Sequence, residues 1–282
     1  MTINKQFFRQ VWAFSDRSLR EIVRNKMVLF WLFVWPLFWF FLSVFLFIAP
    51  YTPGGEAFGV AIGINAISMG IFAVLTSTMV GFSIDFAEDI NLKRYRLYRS
   101  YPINPLADFL GRFFTGFIFG CLSFGIIIII AYFMGGRIMI HPLFSIPVLL
   151  LSLLLLSFIG MGVGLIIANL SNNPNYAVGF SLVILMLLFF ITGYNGTLTS
   201  MFPGPKWMLN IIPNSLATRI ITLSLINFSG FRYEDAQVSP PDMPASPLFL
   251  IILLIYGILF LLVGYLLMRK YQYKKKFTKT RD

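Results

Sequence analysis

Five stretches of this chain contain no Asp, Glu, Lys or Arg: 27–55, 57–84, 113–136, 138–205 and 243–268. A helix crosses the roughly 30 Å hydrocarbon core of a bilayer in about 20 apolar residues. Four of the stretches fit one crossing each, and 138–205 fits two, which makes six. Only 12% of residues are charged and 58% are hydrophobic, against about 25% charged in an ordinary soluble domain, so a soluble globular fold is excluded. The expected fold is all-α: one polytopic membrane domain, 27–268, with spans near 27–49, 57–84, 113–134, 143–168, 177–194 and 248–268. A segment 1–26 precedes it and a basic tail 269–282 follows. The first apolar run comes late and is long enough to stay in the bilayer, so no cleavable signal is expected.

Orientation follows from Lys and Arg, which loops retain on the cytoplasmic side. With the N-terminus inside, 1–26 holds six, 85–112 holds five and 269–282 holds seven of the chain's 22 basic residues. The outer segments hold four: Arg137, Lys206, Arg219 and Arg232. Both termini are therefore expected in the cytoplasm. The net charge of +11 then reflects topology rather than nucleic-acid binding, which wants basic groups on one folded face.

In 1–26, Phe7, Phe8, Val11, Trp12, Leu19, Ile22 and Val23 recur at helical spacing among charged residues, and Arg17 and Glu21 form an i,i+4 pair. Such a helix lies flat in the membrane interface, either as a plain anchor or as a lever to a cytoplasmic partner.

Much familiar chemistry is missing. One cysteine, Cys121, and one histidine, His141, make neither a disulfide framework nor a metal site. No Gly-x-Ser-x-Gly turn accompanies them, so no catalytic residues are expected. No span carries an ionisable group in its interior, as a proton-coupled transporter would. There is no carboxylate ring or Thr-Val-Gly-Tyr-Gly filter, and no phosphate-binding Gly-x-x-x-x-Gly-Lys-Ser/Thr loop. Energy for any transport must come from another polypeptide.

That points to the loop 85–112. Asp85, Glu88 and Asp89 lead and Lys93, Arg94, Arg96 and Arg99 follow, the order a helix dipole favours. Phe86, Ile90, Leu97 and Tyr101 can share one face of a helix over 85–101, which Pro102 stops. Bulky apolar groups among charges suit a docking helix for a soluble partner, with Glu88 and Asp89 meeting basic groups there; the plainer alternative is a solvated loop helix. In span two, Asn65, Met69, Phe72, Thr76, Met79 and Ser83 form a stripe at spacings of three and four. This stripe suits an amphipathic substrate, or helix packing by hydrogen bonds. Phe189 and Thr192 of span five are further pathway candidates, and Trp31, Trp35 and Trp39 align in span one toward lipid. The segment 195–247 is apolar at Trp207, Met208, Ile211, Ile212, Leu216, Ile220 and Ile221, broken by Pro213, and too short on either side to span. Helices that enter and turn back satisfy it, with 230–247 outside.

These features, in order, resemble the type-2 permease family of ABC exporters, most closely its drug-export branch, which includes daunorubicin permeases. The likeness covers nearly the whole chain: the N-terminal amphipathic helix; Glu88 and Asp89, then Lys93 to Leu97, Pro102 and Leu110-Gly111-Arg112; Gly160-Met161-Gly162-Val163-Gly164 through Asn169-Leu170-Ser171-Asn172; Thr192-Gly193; Pro205-Lys206-Trp207-Met208; Pro213-Asn214 and Arg219. Two departures stand out. Asn91-Leu92 occupies the place of the family's Gly, and its Asn-Pro is reversed to Pro-Asn.

The resemblance implies a half-transporter of a prokaryotic plasma membrane that pairs with a second copy as a homodimer. Each copy would dock on an ATPase subunit that binds ATP and Mg, this chain holding no cofactor. It implies a coupling helix carrying Phe86, Glu88, Asp89, Ile90, Lys93, Arg94, Leu97 and Tyr101, and re-entrant helices at Trp207, Pro213 and Arg219. The substrate would be hydrophobic, drug-like or lipid-like, moved out of the cytoplasm or inner leaflet. The alternatives are a polysaccharide-exporting permease of the same family, a membrane assembly protein without substrate, and a channel.

Overall fold

The computed structural model describes residues 3–52, 54–140, 143–171, 173–226, 228, 244 and 247–273. His141, Asn172 and most of 227–246, with Arg232, lie outside the described residues. Six helices are long and apolar enough to cross a membrane: Lys26–Ile48, Glu56–Asn91, Pro105–Phe133, Ser145–Ser171, Pro174–Ile191 and Leu248–Tyr273. We call them spans one to six. Among the described residues there is no β-strand, only a single isolated bridge between Ile138 and Ile226. Span two runs to Asn91, past the expected end near 84, because its last two turns are anchored by charged partners described below.

Span two is the axis of the bundle. Almost every residue from Gly59 to Ser83 is buried within the chain, whereas spans one, five and six expose long apolar stripes. The axis is not a uniform α-helix: Thr76–Gly81 is π-helical. Thr76 and Thr78 donate their hydroxyls to the carbonyls of Phe72 and Val74, both at 2.8 Å, which satisfies acceptors that a π-turn disturbs. Span four reaches this segment with glycines. A Cβ on Gly160 would lie 2.5 Å from Thr78 Oγ1, and one on Gly164 would lie 2.6 Å from the Met79 carbonyl. Gly162, on the other face, is packed against Phe260 of span six. Small residues allow this backbone approach, which supplies van der Waals contact where lipid gives helices no hydrophobic drive to associate.

The N-terminal helix, Ile3–Arg24, lies against span three. Its seat is Gly111, where any Cβ would stand 2.6 Å from the Val11 carbonyl. Ser15 Oγ donates to the Gly111 carbonyl at 2.8 Å, and Thr115 Oγ1 donates back to the Ser15 carbonyl at 3.0 Å. Packing divides the apolar face. Phe14, Ser18 and Ile22 point inward, while Phe8, Trp12, Leu19 and Val23 point out, Trp12 at 76% exposure. One edge of the face is covered by the bundle and the other is bare.

Between spans five and six, Lys206–Asn210 forms a 3-10 turn and Pro213–Leu225 a helix that packs on spans two, four and six. Pro213 starts this helix instead of breaking one, since a first-turn residue needs no intrahelical N–H bond. Its end meets the loop after span three: Met139 N donates to the Leu225 carbonyl at 2.7 Å, and Arg137 pairs with Glu56 at 3.2 Å.

Candidate functional site

The expected helix over 85–101 is two pieces. Span two continues to Asn91, the chain turns at Lys93 in the left-handed conformation (φ 56°), and a short helix Arg94–Tyr98 follows. Lys93 directly follows Asn91-Leu92, and glycine is the residue that adopts its conformation without strain. It also separates the residues expected on one face. Phe86 is fully buried against Phe82 and Tyr95, Ile90 is half-buried, and Leu97 and Tyr101 are exposed. The exposed tip is made by Leu92, Lys93, Arg96, Leu97 and Tyr101; Leu92 is a member the sequence did not suggest.

Asp89 is likewise not available to a partner. Its carboxylate is fully buried and shared by three guanidiniums of its own chain: Arg17 at 2.6 Å, Arg94 at 2.6 Å, and Arg112 in a short contact. Arg112, almost fully buried, also reaches Asp108 at 2.7 Å and Asp85 at 3.0 Å, and lies 4.9 Å from the centre of the Phe86 ring. Glu21 joins Arg17 and Arg94, at 3.1 and 3.3 Å. Glu88, on the rim, is 3.6 Å from Arg94. The expectation of basic groups around Glu88 and Asp89 thus meets an internal answer: the bases come from the N-terminal helix, the short helix and span three.

Tyrosines complete the cluster. Tyr273, at the end of span six, donates to Asp108 Oδ2 at 2.8 Å, and Tyr95 donates to the same oxygen at 3.4 Å. Tyr98 contacts both Arg17 and Asp89. Burial holds the Tyr95 phenol well above its ordinary pKa, so it remains a donor. Burial and the nearby Arg112 pull Arg17 down, but Asp89 and Glu21 leave it above its ordinary value and charged. The result is a clasp in which five elements hold one another by ions and hydrogen bonds: the N-terminal helix, span two, the short helix, span three and span six. Removing one member of a buried ion pair leaves the other charge unpaired, which costs about 3–5 kcal/mol.

The candidate pathway residues lie deeper. Asn65 bonds Ser43 of span one, Nδ2 donating to the hydroxyl at 2.7 Å. Phe72 meets Phe189 edge-on with ring centres 5.1 Å apart, which joins spans two and five. Met69 and Thr76 are fully buried, and Ser83 bonds Ser181 at 2.8 Å. Thr192 accepts from Asn214 Nδ2 at 2.9 Å. In this conformation the stripe is closed by packing, with Asn65, Met69, Phe72, Thr76, Phe189 and Thr192 all buried.

Beside Thr192 the chain does something the sequence reading missed. Gly193, Tyr194, Asn195 and Gly196 all have positive φ, at 65°, 53°, 56° and 81°, which makes a left-handed turn. Such a turn costs an L-residue about 1–2 kcal/mol. Side chains fix it in place: Ser68 Oγ donates to the Tyr194 carbonyl at 2.7 Å, Asn195 Nδ2 donates to the Ser68 carbonyl at 2.9 Å, and Asn214 Nδ2 donates to Asn195 Oδ1 at 2.9 Å. The Gly-Tyr-Asn-Gly spacing was the available signal, since Gly and Asn are the residues that tolerate this region. Of the expected re-entrant residues, Trp207 is exposed, Pro213 opens the helix Pro213–Leu225, and Arg219 is fully buried within that helix.

No curated relative matches the chain. The family model of the ABC-2 type transporter matches residues 9–232, which takes in most of the N-terminal helix, the clasp apart from Tyr273, spans one to five and the helix with Arg219. Six apolar helices and a match over most of its length place the chain in the ABC-2 type transporter family, as a multi-pass membrane permease component of an ABC transporter and not its catalytic ATPase.

Proposed function

We propose that this permease works as an exporter and that the tip 92–101 is where an ABC ATPase engages it. The carrying observation is mechanical. The tip projects from the ionic clasp, and the clasp is fastened directly to the N-terminal helix and spans two, three and six. Any displacement of the tip is passed to span two, the bundle axis, and to three other elements at once. Leu92, Leu97 and Tyr101 supply exposed apolar contact, and Lys93 and Arg96 supply charge around it. Apolar groups exposed among charges mark a partner surface. Glu88 and Arg94 support the tip from the rim, and Phe86 and Asp89 anchor it from inside.

In this reading two permease copies form a homodimer, each on one of two ATPase subunits that carry ATP and Mg. Eighteen of the 22 basic residues then lie on the cytoplasmic side of a prokaryotic plasma membrane, with both termini. The substrate is a hydrophobic small molecule or a lipid. It passes where spans one, two and five meet, along Asn65, Met69, Phe72 and Thr76 with Phe189 and Thr192, once the packing that closes this stripe is released.

The test is assembly with the ATPase. The double variant Leu92→Asp, Leu97→Asp is expected to insert and fold as the parent does while losing the co-purified ATPase and substrate-stimulated hydrolysis. A complex that forms and transports normally with both substitutions overturns the docking role. Direction is read separately, by substrate accumulation in inverted vesicles. Phe72→Ala and Asn65→Ala are expected to change substrate stimulation; unchanged stimulation leaves those residues to helix packing. For topology, a cysteine at Glu56 is expected to react with an impermeant maleimide from outside, and one at Lys275 is not.

A further inference from the structure

Beside the clasp, the loop 98–105 stands away from the end of span six and leaves a cleft of about 750 Å³. Its charge is one-sided. Arg99, Arg269 and Lys270 line it, and no carboxylate does. Among the described residues none of these three is in an ion pair, although Arg17, Arg94 and Arg112 close by are all paired. Arg99 Nε is buried without a hydrogen-bond partner among them. Lys270 lies over the face of Tyr271, 5.4 Å away. Three like charges gathered round one space repel one another unless an anion joins them.

The other wall of the cleft is apolar and leads into the membrane. Leu266 is 56% exposed, and it ends a stripe of Ile255, Leu259 and Leu262 that is equally bare along span six. The apolar track runs directly to the basic end, so acyl chain and phosphate sites lie in the order a phospholipid presents them. An acidic protein surface would answer the charges but leave the stripe uncovered, and a free phosphate would use only the basic end. The nine residues after Tyr273 carry five further basic side chains and one acidic one, Asp282.

We propose that this cleft is a binding site for an anionic phospholipid, its phosphate held by Arg99, Arg269 and Lys270 and its acyl chain laid along Leu266, Leu262 and Leu259. The cleft shares Arg99 and Tyr101 with the tip 92–101 but contains neither Leu92 nor Leu97.

The experiment is native mass spectrometry of the full-length permease titrated with phosphatidylglycerol or phosphatidylcholine. The parent is expected to retain phosphatidylglycerol preferentially. R99Q/R269Q/K270Q is expected to bind it roughly a hundredfold more weakly, each basic group near an anionic headgroup counting for about fivefold. If the triple variant does not fold, R269Q/K270Q, at two exposed positions, carries the same test with a shift of roughly 25-fold. L266Q is expected to weaken lipid retention without changing charge. Equal retention by parent and variants, or of the two lipids, overturns the proposal. Displacement of the lipid by glycerol 3-phosphate overturns it in favour of a phosphate site. Loss of a co-purifying ATPase from the charge variants, with lipid retention unchanged, overturns it in favour of a protein surface.

Discussion

The two ends of span two are both secured by buried polar groups, but of opposite kinds. At the Asn91 end, three guanidiniums and the carboxylates of Asp85, Asp89 and Asp108 form the clasp. Toward the other end, the partners are neutral: Ser68, Thr192, Asn195 and Asn214 hold the left-handed turn. A buried ion pair is strongly penalised when half of it is withdrawn, whereas a neutral hydrogen bond contributes about 0.5–1.5 kcal/mol net. The clasp therefore behaves as one rigid body, and the neutral seam can separate and re-form at modest cost. In the proposed coupling, force applied at the tip 92–101 would reach the axis through the stiff end and be answered at the yielding one.

The sharpest way to break this contrast is Arg112→Ala. It takes the ion-pair partner from Asp85 and Asp108 and one of three guanidiniums from Asp89, and is expected to lower stability by about 3–5 kcal/mol, read as thermal unfolding in detergent. Arg112→Lys is expected not to restore it, because a point charge cannot reach three acids in the planar fork geometry of a guanidinium. At the neutral end, Gly196→Ala carries the larger effect. Its Cβ would fall 1.8 Å from Ser215 Oγ, on a backbone at φ 81°, so a loss of about 2–4 kcal/mol is expected from overpacking and strain together. Asn214→Leu, which removes one donor from Thr192 and Asn195, is expected to cost about 1–3 kcal/mol. A loss at Asn214 as large as that at Arg112 would erase the distinction between the ends. The smallest effect belongs to Lys93→Gly, which relieves the left-handed turn. It is expected to leave stability unchanged or raise it by up to about 1 kcal/mol, with Lys93→Val lowering it.

The difference between the ends also decides what could be read in the sequence. Six spans were legible because charge is absent over long runs, and that pattern needs no tertiary information. Within the clasp, the Arg17–Glu21 pair was visible at i,i+4, and Arg112–Asp108 has the same spacing. Its hub was not visible: Arg17 and Asp89 are 72 positions apart, and Tyr273 and Asp108 are 165 apart. Asp89 therefore looked like an exposed acid in a loop, because nothing local announces three arginines. Phe86 and Leu97 could share a face only in an unbroken helix, and the break comes at a Lys that carries no turn signal. Asn65, Phe72 and Thr76 share a face by their spacing, but a stripe of that composition serves packing and passage equally well, and this conformation engages it in packing.

The long separations within the clasp impose an order on how the molecule is made. Arg17 emerges from the ribosome first, Asp89 and Arg112 much later, and Tyr273 only with the last span. Until span six has entered the bilayer, Asp108 has Arg112 and Tyr95 but lacks its best-aligned phenol. The charges of spans two and three must wait in water at the membrane surface, then leave it together as the helices close. The clasp can thus be completed only when Tyr273 arrives, and a chain ending before it would leave Asp108 without that phenol.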